Sequence, residues 1–295
     1  MTNLVRFIAL HSYKGGTGKT ILSLNLTEAF RKRGRNVCLF DFDFRAPSQH
    51  VWFDTTGAEY WLNDFLDGKC SIMQALINVQ DNPTGSYGKL MVGLANPSTE
   101  AIRDINLKDR RWEMRALGRL LSVRNFLQDN GFDLLIIDAS PGLLYSSINA
   151  VVSSDVALVA ATPETSDLQG TIRMIHELYD LFSKKTALIF NRLIGVEILK
   201  IPGMKKDKSD GLLFNGLRVL AVVPCFCDVQ RAGRGYVMVR ERPNHPFTRI
   251  VEEMAASIDP QSRPAEKTQD AKLMQLYRDI FVKKTMGIHI SDEER

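Results

Sequence analysis

Near the start of the chain, Phe7-Ile8-Ala9-Leu10-His11-Ser12-Tyr13-Lys14-Gly15-Gly16-Thr17-Gly18-Lys19-Thr20 passes from an apolar run to a loop of glycine and lysine. A helical period follows in Leu22, Leu26, Ala29 and Phe30. Strand, glycine loop, helix is the order a phosphate-cradling loop needs. Glycines let backbone N–H groups curl round an anion with no Cβ in the way, and the helix N-terminus adds positive potential. In this reading Lys19 neutralises β/γ-phosphate charge and the Thr20 hydroxyl is a Mg²⁺ ligand. A glycine turn that binds nothing is the bland alternative.

Outward from that loop, short apolar runs alternate with amphipathic stretches, the pattern of βα units on a parallel sheet. The strands expected are Phe7–Leu10, Val37–Phe40, Leu90–Leu94, Leu134–Ile137, Val156–Ala160, Ala187–Phe190 and Arg218–Val223. Leu168, Ile172, Ile175, Tyr179 and Phe182 mark one long helix face, entered through the capping residues Thr162–Ser166. The fold class is therefore α/β, a doubly wound, mostly parallel sheet with helices on both faces. Pro202–Gly216 reads as an exposed insertion, and Ser257–Thr268 as a linker to a last helix near Ala271–Lys284. That divides the chain into a body, residues 1–258, and a linker with a C-terminal amphipathic helix, 259–295. No internal repeat and no low-complexity tract is present.

The bulk numbers suit one globular body. Of 295 residues, 44% are hydrophobic and 24% charged, with a formal net charge of +4. That mild excess is compatible with a polyanionic partner without demanding one. The four cysteines, Cys38, Cys70, Cys225 and Cys227, make no disulfide framework. No signal peptide is read, and no apolar run reaches the ~18 residues of a membrane span. The expected compartment is the cytoplasm.

Two acidic patterns follow in the right order. Asp41-Phe42-Asp43-Phe44-Arg45-Ala46-Pro47-Ser48 leaves the second strand, with carboxylates two apart that point one way, toward the phosphate loop. Leu134-Leu135-Ile136-Ile137-Asp138 is an apolar run ending in a carboxylate, placed to anchor Mg²⁺ through water. Strand-end carboxylates that merely cap loops are the alternative for both.

With its first lysine, Lys14-Gly15-Gly16-Thr17-Gly18-Lys19-Thr20 has the deviant form of the phosphate loop, and here the sequence resembles the MinD/ParA family of ATPases. The resemblance spans roughly Val5 to Ala256. It implies ATP and Mg²⁺ as cofactors and a catalytic set of Lys14, Lys19 and Asp43. Lys14 would reach the partner's phosphates across a nucleotide-sandwich homodimer, and Asp43 would orient or activate the attacking water. Thr20, Asp41 and Asp138 would serve the metal. Gly15, Gly16, Thr17, Gly18, Lys19, Thr20 and Ile21 would hold the nucleotide phosphates. Asn191-Arg192 resembles the family's adenine-contacting pair, and Pro224-Cys225 stands where the family usually has Pro-Tyr, a departure at Cys225. No guanine-reading Asn/Thr-Lys-x-Asp motif occurs. Ala139-Ser140-Pro141-Gly142-Leu143 resembles the family's switch segment.

The function implied is an ATP-dependent dimerising switch that hydrolyses ATP to position or partition a cargo, with an activating partner the sequence does not name. A metabolic or metal-cluster-carrier ATPase of the same fold is the alternative. Cluster binding would draw on Cys225 and Cys227, whose spacing differs from the CxxC of cluster carriers. The five histidines show no ligand spacing. Non-specific DNA binding would use the basic groups Lys108/Arg110/Arg111, Lys184/Lys185, Lys205/Lys206/Lys208 and Arg231/Arg234/Arg240/Arg242. Membrane binding would use Leu273, Leu276, Tyr277, Ile280 and Phe281 on the last helix. The acidic ending Ser291-Asp292-Glu293-Glu294 favours packing of that helix on the body instead.

Overall fold

The computed structural model describes residues 5–80, 87–180, 182, 184–194, 198–207, 211–231 and 236–258. Its strands are β1 (Arg6–His11), β2 (Val37–Phe42), β3 (Leu76–Val79), β4 (Leu90–Gly93), β5 (Leu134–Ala139), β6 (Val156–Ala161), β7 (Lys185–Leu193), β8 (Met204–Lys206), β9 (Leu212–Phe214) and β10 (Leu217–Pro224). They form one sheet in the order β3-β4-β2-β5-β1-β6-β7-β10-β9-β8. From β4 to β10 every pairing is parallel; β3 at one edge and β9 and β8 at the other run antiparallel. The helices are α1 (Lys19–Lys32), α2 (Leu62–Asp67), α3 (Thr99–Asn106), α4 (Arg110–Asp129), α5 (Tyr145–Ser153), α6 (Thr165–Met174), α7 (Cys227–Arg231), α8 (Met238–Glu241) and α9 (Pro246–Ile258).

The two-residue period of the strands sorts the core into two layers. Ile8 and Leu10 pack with Leu22, Leu26 and Phe30 of α1 and Val251 and Met254 of α9. Phe7, with Leu135, Ile137 and Phe40, meets Leu120, Val123 and Leu127 of α4 on the other face, and Ala9 joins the α6 cluster there. β5 is buried at all six positions, as a strand covered on both faces must be. The same parity has a functional consequence. Leu39 and Ile136 face α1, so Asp41 and Asp138, each two residues further along, sit on the α1 side as well.

Connectivity fixes where a ligand fits. From β1 the chain works outward through β2, β3 and β4, returns to β5 beside β1, then crosses to β6 on its other side. The loop leaving β1 heads toward β2, whereas those leaving β5 and β6 head the other way, and such a switch point opens a crevice at the carboxyl edge of the sheet.

Several expectations are corrected. Pro202–Gly216 is not a simple exposed insertion. It carries the antiparallel pair β8 and β9, which extends the sheet, with Phe214 buried edge-on against Phe190 at 5.2 Å. Leu76–Val79 is an edge strand that the alternation did not reveal. The face Leu168–Phe182 begins in α6 but continues as a π-turn, Ile175–Tyr179. The π-turn is capped at Asp180, so Phe182 lies beyond it and is exposed rather than buried. Strand β2 runs on to Phe42, placing Asp41 inside it, and β7 runs on to Leu193, taking in Asn191 and Arg192. Ser257 and Ile258 close α9 instead of opening a linker. Thr268 and the helix expected at 271–284 lie outside the described residues. Among the described residues no helix is long and apolar enough to cross a membrane.

Candidate nucleotide site

The loop after β1 starts helix α1 directly. Gly18 caps it in the left-handed region at φ 90°, and Gly16 lies at φ 77°. No ordinary side chain fits at Gly18, because an added Cβ would stand 2.4 Å from Asn191 Nδ2. That neighbour is a brace. Asn191 Nδ2 donates to the Thr17 carbonyl at 2.7 Å, and its Oδ1 accepts the Arg192 N–H at 2.9 Å. Arg192, itself at φ 61°, donates from Nη1 to the Gly16 carbonyl at 2.5 Å. Asn191 and Arg192 thus hold loop carbonyls outward, leaving the loop N–H groups for an anion.

Lys19 is buried at the loop's end and donates to Ser12 Oγ at 2.8 Å. Burial lowers its pKa, while the carboxylates of Asp138, Asp43 and Asp167 pull it back up. The ammonium is therefore a desolvated charge facing acids, ready to meet phosphate in a low dielectric. Lys14 lies outside the cradle, 38% exposed, where it donates to Glu164 Oε2 at 3.2 Å and Ser166 Oγ at 2.5 Å.

The acids differ in setting. Asp41 is fully buried and accepts the N–H groups of Asp43 (3.2 Å), Ser48 (3.1 Å) and Gln49 (3.0 Å). Burial, and then the charge of Asp138 beside it in register, lift its pKa to about 7. Asp138 is lifted to about 6 by burial, against the pull of Gln49, Lys19 and the Thr20 hydroxyl. Its Oδ2 accepts Gln49 Nε2 at 2.9 Å, while its buried Oδ1 has no hydrogen-bond partner among the described residues. Asp43, half-buried in the following loop, accepts Ser140 Oγ at 3.0 Å and the Ala46 N–H at 3.2 Å through Oδ1.

The site fits Mg²⁺ bound largely through water and phosphate oxygens. Among the described residues no three His, Cys, Asp or Glu side chains form a cage by themselves, and Mg²⁺ does not require one. The orphan Oδ1 of Asp138, beside the Thr20 hydroxyl, is the acceptor a metal-bound water would satisfy. Asp41, whose oxygens accept three backbone N–H groups, staples the loop that carries Asp43.

The sequence reading passed over several participants. Gln49, Ser12 and Asp167 carry no motif; Asp167 is buried, accepts the Thr162 N–H and hydroxyl at 2.7 and 2.9 Å, and faces Lys19. Glu164 and Ser166 stand among the capping residues, and their contacts with Lys14 span 150 and 152 positions of chain. Cys225 Sγ accepts from Gln230 Nε2 at 3.0 Å, and Cys227 is exposed at the start of α7.

Strand, glycine loop and helix at the carboxyl edge of a doubly wound sheet, with a buried lysine facing strand-end carboxylates, define a phosphate-loop nucleotide-binding protein. Comparison with known proteins narrows the class. A family described as an AAA domain matches residues 5–189. The septum site-determining protein MinD of Thermotoga maritima is 26% identical over 289 residues, covering 95% of this chain and 98% of that protein. An uncharacterised ATP-binding protein of Methanocaldococcus jannaschii is 28% identical over 262 residues, 85% of this chain and 86% of its own length. The solved structure of MinD from Pyrococcus horikoshii, complexed with Mg-ADP, has a TM-score of 0.66 at 21% identity, covering 88% of this chain and 98% of that one. The chain belongs to the MinD/ParA family of deviant phosphate-loop ATPases.

Proposed function

We propose that this protein is a Mg²⁺-dependent ATPase that dimerises on ATP and uses the cycle to position or partition a cargo on DNA or another surface. The observation that carries the reading is the pair of lysines on one loop. Lys19 is buried against Ser12 and three carboxylates, in the place that meets the nucleotide's own phosphates. Lys14 stands outside, held among the described residues by the exposed Glu164 and Ser166. A cation so placed is free to serve phosphates presented by a second subunit, where it would offset charge developing in the transition state.

The chain's own residues divide the remaining work. The loop N–H groups between Gly15 and Ile21 and the Lys19 ammonium hold the phosphates. The Thr20 hydroxyl and Asp138 Oδ1 would hold Mg²⁺, which would supply positive charge to offset that of the phosphates. Asp43, tethered by Ser140, orients the attacking water. The adenine end would lie by Asn191, Arg192, Pro224 and Cys225. The relative solved with Mg-ADP supports the choice of ligand.

The test is a mass measurement by light scattering with no nucleotide, ADP or ATP, each with Mg²⁺. A doubling in ATP alone, lost in Lys14→Ala, is the expected result. A mass unchanged by ATP would remove the dimerising switch, and ATP consumption would then decide whether a non-dimerising ATPase remains.

A further inference from the structure

Gln49 bridges Asp41 and Asp138, the buried acids of strands β2 and β5. It is wholly buried, at the head of a short 3₁₀ turn, Gln49–Val51, that follows the Asp43 loop. Its backbone N–H donates to Asp41 Oδ2 at 3.0 Å, and its side-chain Nε2 donates to Asp138 Oδ2 at 2.9 Å. The residue therefore ties loop 43–49 to strand β2 with its main chain and to strand β5 with its side chain. Two buried oxygens at this junction, Gln49 Oε1 and Asp138 Oδ1, have no hydrogen-bond partner among the described residues. Buried acceptors left without donors cost free energy, and a pair of them beside a phosphate loop points to a donor that arrives with the ligand.

From this geometry we infer that Gln49 is a positioning residue for magnesium and couples the metal to the Asp43 loop. The inference rests on the Mg-nucleotide reading above. By occupying Asp138 Oδ2, the amide fixes the carboxylate's rotation so that Oδ1 is kept for water on the metal. An outer-sphere ligand gains affinity when its orientation is preset, as supporting hydrogen bonds do in other metal sites. Loop 43–49 carries the water-orienting Asp43 at one end and Gln49 at the other. Arrival of the metal at Asp138 is thereby felt where the nucleophile is held. A purely structural glutamine would need neither unpaired oxygen.

The test uses the whole chain and a fluorescent ATP analogue followed by anisotropy, with EDTA or with a Mg²⁺ titration. Gln49→Met keeps the length of the side chain and removes the amide. It is expected to bind the analogue in EDTA as the wild type does, and to need about tenfold more Mg²⁺ for half of the metal-dependent gain. Hydrolysis should recover at saturating Mg²⁺. A wild-type Mg²⁺ midpoint in a folded Gln49→Met would overturn the inference. If the variant does not fold, hydrogen exchange on the wild type decides. Segment 43–51 should gain protection when Mg²⁺ is added to the nucleotide complex but not with nucleotide in EDTA, and no gain overturns the inference. A wild type that binds no nucleotide at all would overturn the functional reading as well, so the two failures are distinguishable.

Discussion

Lys14 Nζ lies 3.2 Å from Glu164 Oε2, so the lysine proposed to act on a partner's phosphates is tied within its own subunit. The ion pair is exposed on both sides, 38% at the lysine and 68% at the glutamate, which limits it to roughly 0–1 kcal/mol. Glu164→Gln should release the lysine at little cost to the fold. Its ATP-driven dimer should form a few-fold more readily, with a melting temperature close to wild type. Sedimentation across a concentration series measures this, and a weaker dimer would show that Glu164 assists Lys14 rather than competing for it.

The two proposed phosphate-side functions separate by mutation. Lys19→Ala removes the buried ammonium next to Ser12 and should abolish nucleotide binding in a fluorescence titration. Asp43→Ala leaves the cradle intact, so binding should stay within a few-fold of wild type while turnover drops about 10²-fold or more. The ATP-bound dimer should then accumulate. Normal turnover by Asp43→Ala would transfer the water-orienting role elsewhere.

Asp41 and Asp138 stand side by side in register on β2 and β5, both buried, and this costs stability when nothing binds there. The Asp138 pKa is raised to about 6. A carboxyl whose folded pKa lies above its unfolded value binds more protons when folded, so stability falls as pH rises from about 4 to about 6. Asp138→Asn lacks that loss and keeps an oxygen for Gln49. Without ligand it should unfold at higher denaturant than wild type at pH 8, by on the order of 3 kcal/mol at most, and show little advantage near pH 4. Added Mg-ATP should reverse the order at pH 8, because the variant serves the metal poorly. An apo variant less stable than wild type at pH 8 would mean that the carboxylate is better compensated than its burial suggests.

Gly18 shows how far the sequence could be read. Its place in the loop motif was plain from spacing, and its backbone angle follows from the motif. The contact that makes it strict does not, since Asn191 reaches it from the end of β7. Parallel strands, with their continuous apolar runs, were legible for the same reason as the loop: one local signal decides each. β8 and β9 were not, because three-residue strands bearing Lys205 and Lys206 carry too little pattern. Gln49 and Asp167 act through contacts that only the assembled sheet creates. Gly18→Ala should therefore cost roughly 1–3 kcal/mol for its φ of 90° alone, with the clash in addition. Adding Asn191→Ala should relieve the clash without restoring wild-type stability; full recovery of the melting temperature would show that the backbone angle costs nothing.

The binding surface follows from which cations remain available once internal contacts are taken out. Lys108 is engaged by Asp67 and Asp104 at 3.0 and 2.7 Å, Arg242 by Asp228 at 3.0 Å, and Lys184 by the carbonyls of Val152 and Ser154 at 2.6 and 2.8 Å. Lys208 and Arg234 lie outside the described residues. Arg110, Arg111, Lys185, Lys205 and Lys206 are exposed. On one subunit these cations, with exposed Arg231, would make a weak polyanion site, and the proposed dimer would double it through effective concentration. DNA binding should accordingly appear with ATP and vanish with ADP, show no sequence preference, and weaken steeply with salt through counterion release. Each exposed cation that meets a phosphate contributes about 0.9 to the slope of log affinity against log salt. Arg110→Glu with Arg111→Glu, and separately Lys205→Glu with Lys206→Glu, should lower that slope without changing ATP turnover. Truncation after Pro264 should leave DNA binding largely in place. Should the ATP form ignore DNA at low salt and float with anionic liposomes, with the truncation abolishing flotation, the DNA reading fails and the C-terminal segment is the anchor.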